Sequence, residues 1–141
     1  MLLRTLVHRF YEEIWNEQRL DLVHEVLSPD VNFRGSLGST RTGRDEFCEY
    51  ASEVITALDS YRCTIESLVV EDNTAAARLT FSGIHVASFL DRPPTGNRVS
   101  WVGAAFFHAT DTTIDDIWVL GDLVNLLVQL ESKPAAPDTM R

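Results

Sequence analysis

NRVSWVGAAFFHATDTTIDDIWVLGDLVNLLVQL, residues 97–130, holds the change of rhythm that decides the fold. Successive side chains of a strand point to opposite faces. Val99, Trp101, Ala105 and Phe107 therefore share one face, and Val102, Ala104 and Phe106 share the other. Asp111-Thr112 supplies a tight turn, and residues 113–121 resume the alternation. Strict alternation there puts Ile114, Trp118, Leu120 and Asp122 on one parity, with Asp116 at its solvent end. The period then lengthens. Leu123, Leu126, Leu127 and Leu130 recur at helical spacing, which predicts a closing helix over about 122–131.

Upstream, the spacing predicts strands near 61–71 and 74–87, joined at Asp72-Asn73, with a connection at 88–96 stiffened by Pro93-Pro94. The N-terminal part reads as helices. Leu3, Leu6, Val7, Phe10, Tyr11, Ile14 and Trp15 give an amphipathic helix over 2–16, and a short one follows at about 19–27. Ser28-Pro29-Asp30 ends it, since proline cannot continue a helix. A short strand over 31–34, a glycine-rich loop over 35–43 and a helix over about 44–58 complete the pattern. Helices segregated from antiparallel strands mean an α+β domain. We expect one domain over 1–131, a curved sheet wrapped around a long helix into a cone, and a frayed tail over 132–141.

Charge narrows the partners. With 21 acids against 12 bases the net charge is −9, which repels phosphate backbones and anionic membranes. Neither nucleic acid nor membrane is an expected partner. Cys48 and Cys63 have no metal-ligand spacing, and His8, His24, His85 and His108 add none, so no metal or cofactor is expected. Arg4, His8, Arg9, Glu12 and Glu13 interrupt any signal-peptide core, so reduced cysteines and a cytoplasmic location are the expectation. Because residues 99–107 are apolar on both faces, both should be covered, one by helices and one by a second copy in a homodimer.

Polar groups on apolar faces are the candidates for chemistry. His85 is the polar member of the face formed by Leu79, Phe81, Gly83 and Ala87. Asp122 follows Gly121 where strand gives way to helix. Desolvation could raise such a carboxyl group toward neutrality, and an imidazole could donate to a developing oxyanion. The plain readings stand beside these: aspartate is a favoured helix N-cap, and His85 could be a hydrogen-bonded core residue. Trp15, Phe33, Tyr50, Trp101 and Trp118 could wall a substrate chamber or simply pack. Arg34 could clamp an anionic group or lie at the surface.

Three segments carry a family resemblance. RFYEEIWNEQRLDLVHEVLSPDVNF, FSGIHVASFLDRPPTGNRVSW and IDDIWVLGDLVNLLVQL resemble the opening, the central "G.H…PPTG" pattern and the closing "W…D…LL.QL" of SnoaL-like polyketide (ester) cyclases of the NTF2-like fold. The resemblance implies a pocket-bearing cone and cofactor-free ring closure by intramolecular aldol chemistry. It places Asp122 on the proton-abstracting aspartate and His85 on the pocket histidine. This chain departs from the pattern at Ala87, Asp91-Arg92 and Glu131. The leading expectation is thus a cyclase or isomerase acting on a hydrophobic, polyketide-like carbonyl compound, with Asp122 and His85 as acid–base pair. The alternatives are a non-catalytic protein binding a small hydrophobic ligand, and an epoxide hydrolase or dehydratase using Arg34 or Arg78.

Overall fold

The computed structural model of the chain describes residues 2–131. It opens with α1 (Leu2–Arg9), which continues as a wider π-helical segment (Phe10–Asn16). A 3-10 turn (Leu20–Leu22) leads into α2 (Val23–Val26), then β1 (Leu27–Arg34), β2 (Thr40–Thr42) and α3 (Arg44–Ala57). Four long strands follow: β3 (Leu58–Glu71), β4 (Thr74–His85), β5 (Arg98–Thr110) and β6 (Thr113–Gly121), closed by α4 (Leu123–Leu130). The sheet order is β2-β1-β6-β5-β4-β3. All neighbours are antiparallel except β1 and β6. Asp72 and Asp111 take positive φ in the two tight turns, a conformation aspartate tolerates better than most residues.

The expected elements are present, with two changes around the first strand. It begins at Leu27, so Ser28-Pro29-Asp30 lies inside a strand. Its pairing with β6 slips between Leu27 and Asn32, an irregularity of the kind that accommodates a proline without an amide to donate. The segment read as loop contains β2, which pairs with residues 32–34. The tail expected over 132–141 lies outside the described residues.

The inner face of the sheet packs on the helices through one aromatic cluster. Phe10 is fully buried at its centre, with ring centroids 5.5 Å from Phe47, 6.2 Å from Phe107 and 6.3 Å from Phe33. The π-helical turns help here: Phe10, Tyr11, Ile14 and Trp15 are all buried toward the sheet.

β6 departs from simple alternation. His108 pairs with Asp116 and Ala109 with Ile114, which leaves Asp115 as an extra, bulged residue. Its carboxylate takes the bulge's polar bonds, from His108 Nδ1 at 2.7 Å and from the Thr110 hydroxyl. One extra residue turns every later side chain over. Beyond the bulge Ile117 and Val119 point inward, while Trp118 and Leu120 point outward and are exposed.

Candidate functional site

A cavity lies between the N-terminal helix, α3 and the inner face of β3–β6. Of the aromatic residues singled out from the sequence, Trp15, Phe33, Tyr50 and Trp101 line it. Sequence reasoning missed Tyr11, Tyr61, Phe81, Val119, Ser36 and Leu37, which also line it. Tyr11 was legible as a polar-tipped aromatic on the apolar stripe of the first helix; the loop residues Ser36 and Leu37 carried no periodic signal. The cavity holds about 20 Å³ of space open to a water molecule. That is room for roughly one water, far less than the ligand-sized chamber expected from the sequence.

The walls are apolar, and their polar groups are phenols, two indoles and a serine hydroxyl. Burial pushes the Tyr11 and Tyr61 hydroxyls well above their ordinary pKa. Burial pushes Tyr50 up to about 12, outweighing its hydrogen bonds with the Leu37 backbone and the Ser36 hydroxyl. All three are therefore protonated donors at neutral pH. Among the described residues the Tyr11 hydroxyl and the Trp101 indole N–H are buried without a hydrogen-bond partner. Phe81 stacks on Trp101 with centroids 5.2 Å apart, which fixes the indole plane.

The other site residues expected from the sequence fall elsewhere. Trp118 is on the outer face because of the bulge at Asp115, and it is 40% exposed. Arg34 is there too, with its guanidinium 4.9 Å above the Trp118 ring and bonded to the Val119 carbonyl. It is not placed to clamp a ligand in the cavity. Asp122 is exposed and caps α4, its carboxylate accepting from the Asn125 amide at 3.1 Å. It borders an outer groove with Arg78, Thr80, Val102 and Leu120.

His85 faces inward and is fully buried, yet it does not line the cavity. Its Nδ1 accepts from the Thr95 amide at 3.2 Å and lies 3.1 Å from the Thr95 hydroxyl. Its backbone also pairs with Gly96 and Asn97. The ring thus pins the 86–97 connection to the end of β4. Because Nδ1 accepts an amide, the neutral tautomer carries its proton on Nε2, which is buried without a partner among the described residues. His85 and Asp122 lie on opposite faces of the sheet, and the convergence expected of them does not form.

Among the described residues no cluster of His, Cys, Asp and Glu could hold a metal, and no helix is long and apolar enough to cross a membrane. Cys48 and Cys63 are free thiols, and burial pushes Cys63 far above its ordinary pKa.

A curved six-stranded sheet closed by helices over an apolar void defines an NTF2-like cone. The SnoaL-like polyketide cyclase model matches residues 5–130, and the chain belongs to that family. Solved structures agree on the fold. TsrD from Streptomyces laurentii is 25% identical with a TM-score of 0.82, covering 92% of this chain and 95% of its own. A candidate SnoaL-like polyketide cyclase from Jannaschia sp. CCS1 is 18% identical with a TM-score of 0.86, covering 94% of each chain. IdmH from Streptomyces antibioticus, a candidate polyketide cyclase, is 21% identical with a TM-score of 0.79, covering 92% of this chain and 98% of its own. No curated protein matches the sequence significantly.

Proposed function

We propose that the chain binds a small hydrophobic carbonyl compound, of the polyketide-like kind its family is named for, inside the aromatic cavity. The carrying observation is the pair of buried donors, Tyr11 hydroxyl and Trp101 N–H, left without partners in an apolar wall. An unsatisfied buried donor costs about 1–3 kcal/mol, which a ligand oxygen would recover. Such donors also favour the enolate form of a bound ketone, because they strengthen as negative charge develops. Among the described residues the cavity lining carries no carboxylate or imidazole that could take the α-proton. Binding and polarisation are therefore the functions this geometry supports best. The test is calorimetric titration with flat aromatic ketones of increasing size. Trp101→Phe, which deletes the N–H but keeps an aromatic ring, should weaken binding about tenfold, the worth of one hydrogen bond. Equal affinity in the variant would remove the role given to the indole.

A second reading keeps aldol-type cyclisation, with Asp122 as base. Its support is family membership, since the matched region includes the closing segment that carries Asp122. In that reading the carboxylate leaves its cap on α4 to reach the substrate. Turnover of a linear polyketide ketone by the wild type, and its loss in Asp122→Asn, would establish this reading over binding alone.

We also propose a homodimer through the outer face of the sheet. Register aligns Val69, Ala76, Phe106, Trp118 and Arg34 in one row across five strands. Val102, Phe106, Trp118 and Leu120 stand exposed there. Arg78 and Asp122 border the same surface, so it carries both charges and can complement itself about a two-fold axis. Sedimentation should give twice the chain mass, and a monomer at micromolar concentration rejects the pairing.

A further inference from the structure

Pockets that take small organic ligands measure about 300–1,000 Å³, against the 20 Å³ open here. Part of the shortfall is filled by the chain itself. Residues 35–39 link β1 to β2, and their Ser36 and Leu37 line the cavity. Ser36 is buried to 8% exposure.

The seat for this loop is cut from glycine. A Cβ on Gly121 would stand 2.9 Å from the Ser36 carbonyl oxygen and 3.0 Å from the Ser36 Cβ. A Cβ on Gly35 would stand 2.4 Å from the Tyr50 hydroxyl oxygen. Gly121 occupies the inward parity of β6 beyond the bulge. The place where that strand would send a side chain into the cone is thus given to Ser36.

The fit is imperfect in one respect. The loop bonds to Tyr50 but leaves the Tyr11 hydroxyl and the Trp101 N–H unsatisfied beneath it. The Trp101 nitrogen is 3.2 Å from the same Gly121 Cβ position that Ser36 crowds. The loop's own closure is light: Gly35 N–H donates to the Ser39 carbonyl at 3.1 Å, and Gly38 N–H to the Gly35 carbonyl at 3.0 Å. Within the loop Gly38 stands at φ +93°, a conformation that costs glycine nothing and leaves its backbone free to move.

We propose that residues 35–39 are a displaceable plug, with Ser36 and Leu37 standing where a flat aromatic ketone is to bind. This rests on the cavity being a ligand site. The ligand's rings replace Leu37 against Phe33, Trp15 and Phe81, and its carbonyl oxygen takes the hydrogen bonds that the plug leaves unmade. Binding therefore waits on the fraction of molecules with the plug withdrawn, and weakening the plug raises apparent affinity.

The probe is the uncharged fluorescent ketone 6-propionyl-2-(dimethylamino)naphthalene, titrated into the full chain. Its emission moves to the blue on entering an apolar site. Leu37→Ala removes the plug's apolar anchor and should bind the probe about tenfold more tightly, with the same blue shift as wild type. Equal affinities and equal association rates would overturn the plug while leaving the cavity reading intact. A probe whose emission shifts with neither protein would overturn both. Amide exchange gives an independent readout in the unmodified chain. The Gly35 and Gly38 amides should exchange faster when the probe is bound, and exchange that is unchanged or slower also overturns the plug.

Discussion

The two faces of the long strands are both apolar in part, and they meet different neighbours. On the inner face Phe81, Val99, Trp101, Ala105 and Phe107 are almost wholly buried beneath the helices. On the outer face Val102, Phe106, Trp118 and Leu120 are 40–55% exposed. Among the described residues no element lies over them. Hydrophobicity of a strand face thus says that the face needs cover, and does not say where the cover comes from.

This contrast can be broken by measurement, and the largest effect lies inside. Phe10→Ala removes the centre of the aromatic cluster and should cost about 3–5 kcal/mol in urea unfolding. Phe106→Ala, half-exposed in the isolated chain, should cost under about 1 kcal/mol at nanomolar concentration. If its cost climbs toward that of Phe10 as protein concentration rises, a partner covers the outer face.

The tyrosines sharpen the inner side. The chain's three tyrosines, Tyr11, Tyr50 and Tyr61, all have raised pKa values. A raised folded-state pKa contributes stability that is fully present below the unfolded value near 10 and is lost as pH climbs through the folded value. For Tyr50, at about 12, the loss by pH 12 is about 2 kcal/mol. Absorbance at the tyrosinate band should stay low above pH 10 and rise in a single step with unfolding. Gradual ionisation in the folded protein would mean that water already reaches the cavity.

Two smaller effects probe the outer side. Asp122→Ala should cost about 1 kcal/mol by loss of the α4 cap, and Asp122→Asn only a few tenths, because asparagine caps as well. Comparable losses in both variants would show that the carboxylate's charge matters beyond capping. Trp118→Ala removes the stacked Arg34 guanidinium's partner, worth about 0.5–1 kcal/mol at an exposed site. It should also lower the sedimentation mass if the outer face pairs.

β5 and β6 show which parts of the site were legible. In β5 the alternation runs unbroken from Val99 to Phe107, so the inward placing of Trp101 could be read directly. In β6 the extra residue at Asp115 reverses the parity, so Trp118 and Asp122 read as inward and stand outward. A trace was present: Ile114 and Ile117, both buried, are three apart, a spacing that strict alternation forbids. His85 was read on the correct face, but its partner Thr95 sits across an irregular connection that periodicity does not describe.

Local order was decided by the sequence: helix periods, strand alternation, turns at Asp72 and Asp111, and the aromatic content of the core. These depend on neighbours a few residues apart. Whether Asp122 meets His85, whether the cone is open or filled by Ser36 and Leu37, and which apolar face is left bare depend on register and on distant segments packing together. A single bulge or one inserted loop resets those relations without changing local periodicity, so only the tertiary structure decided them.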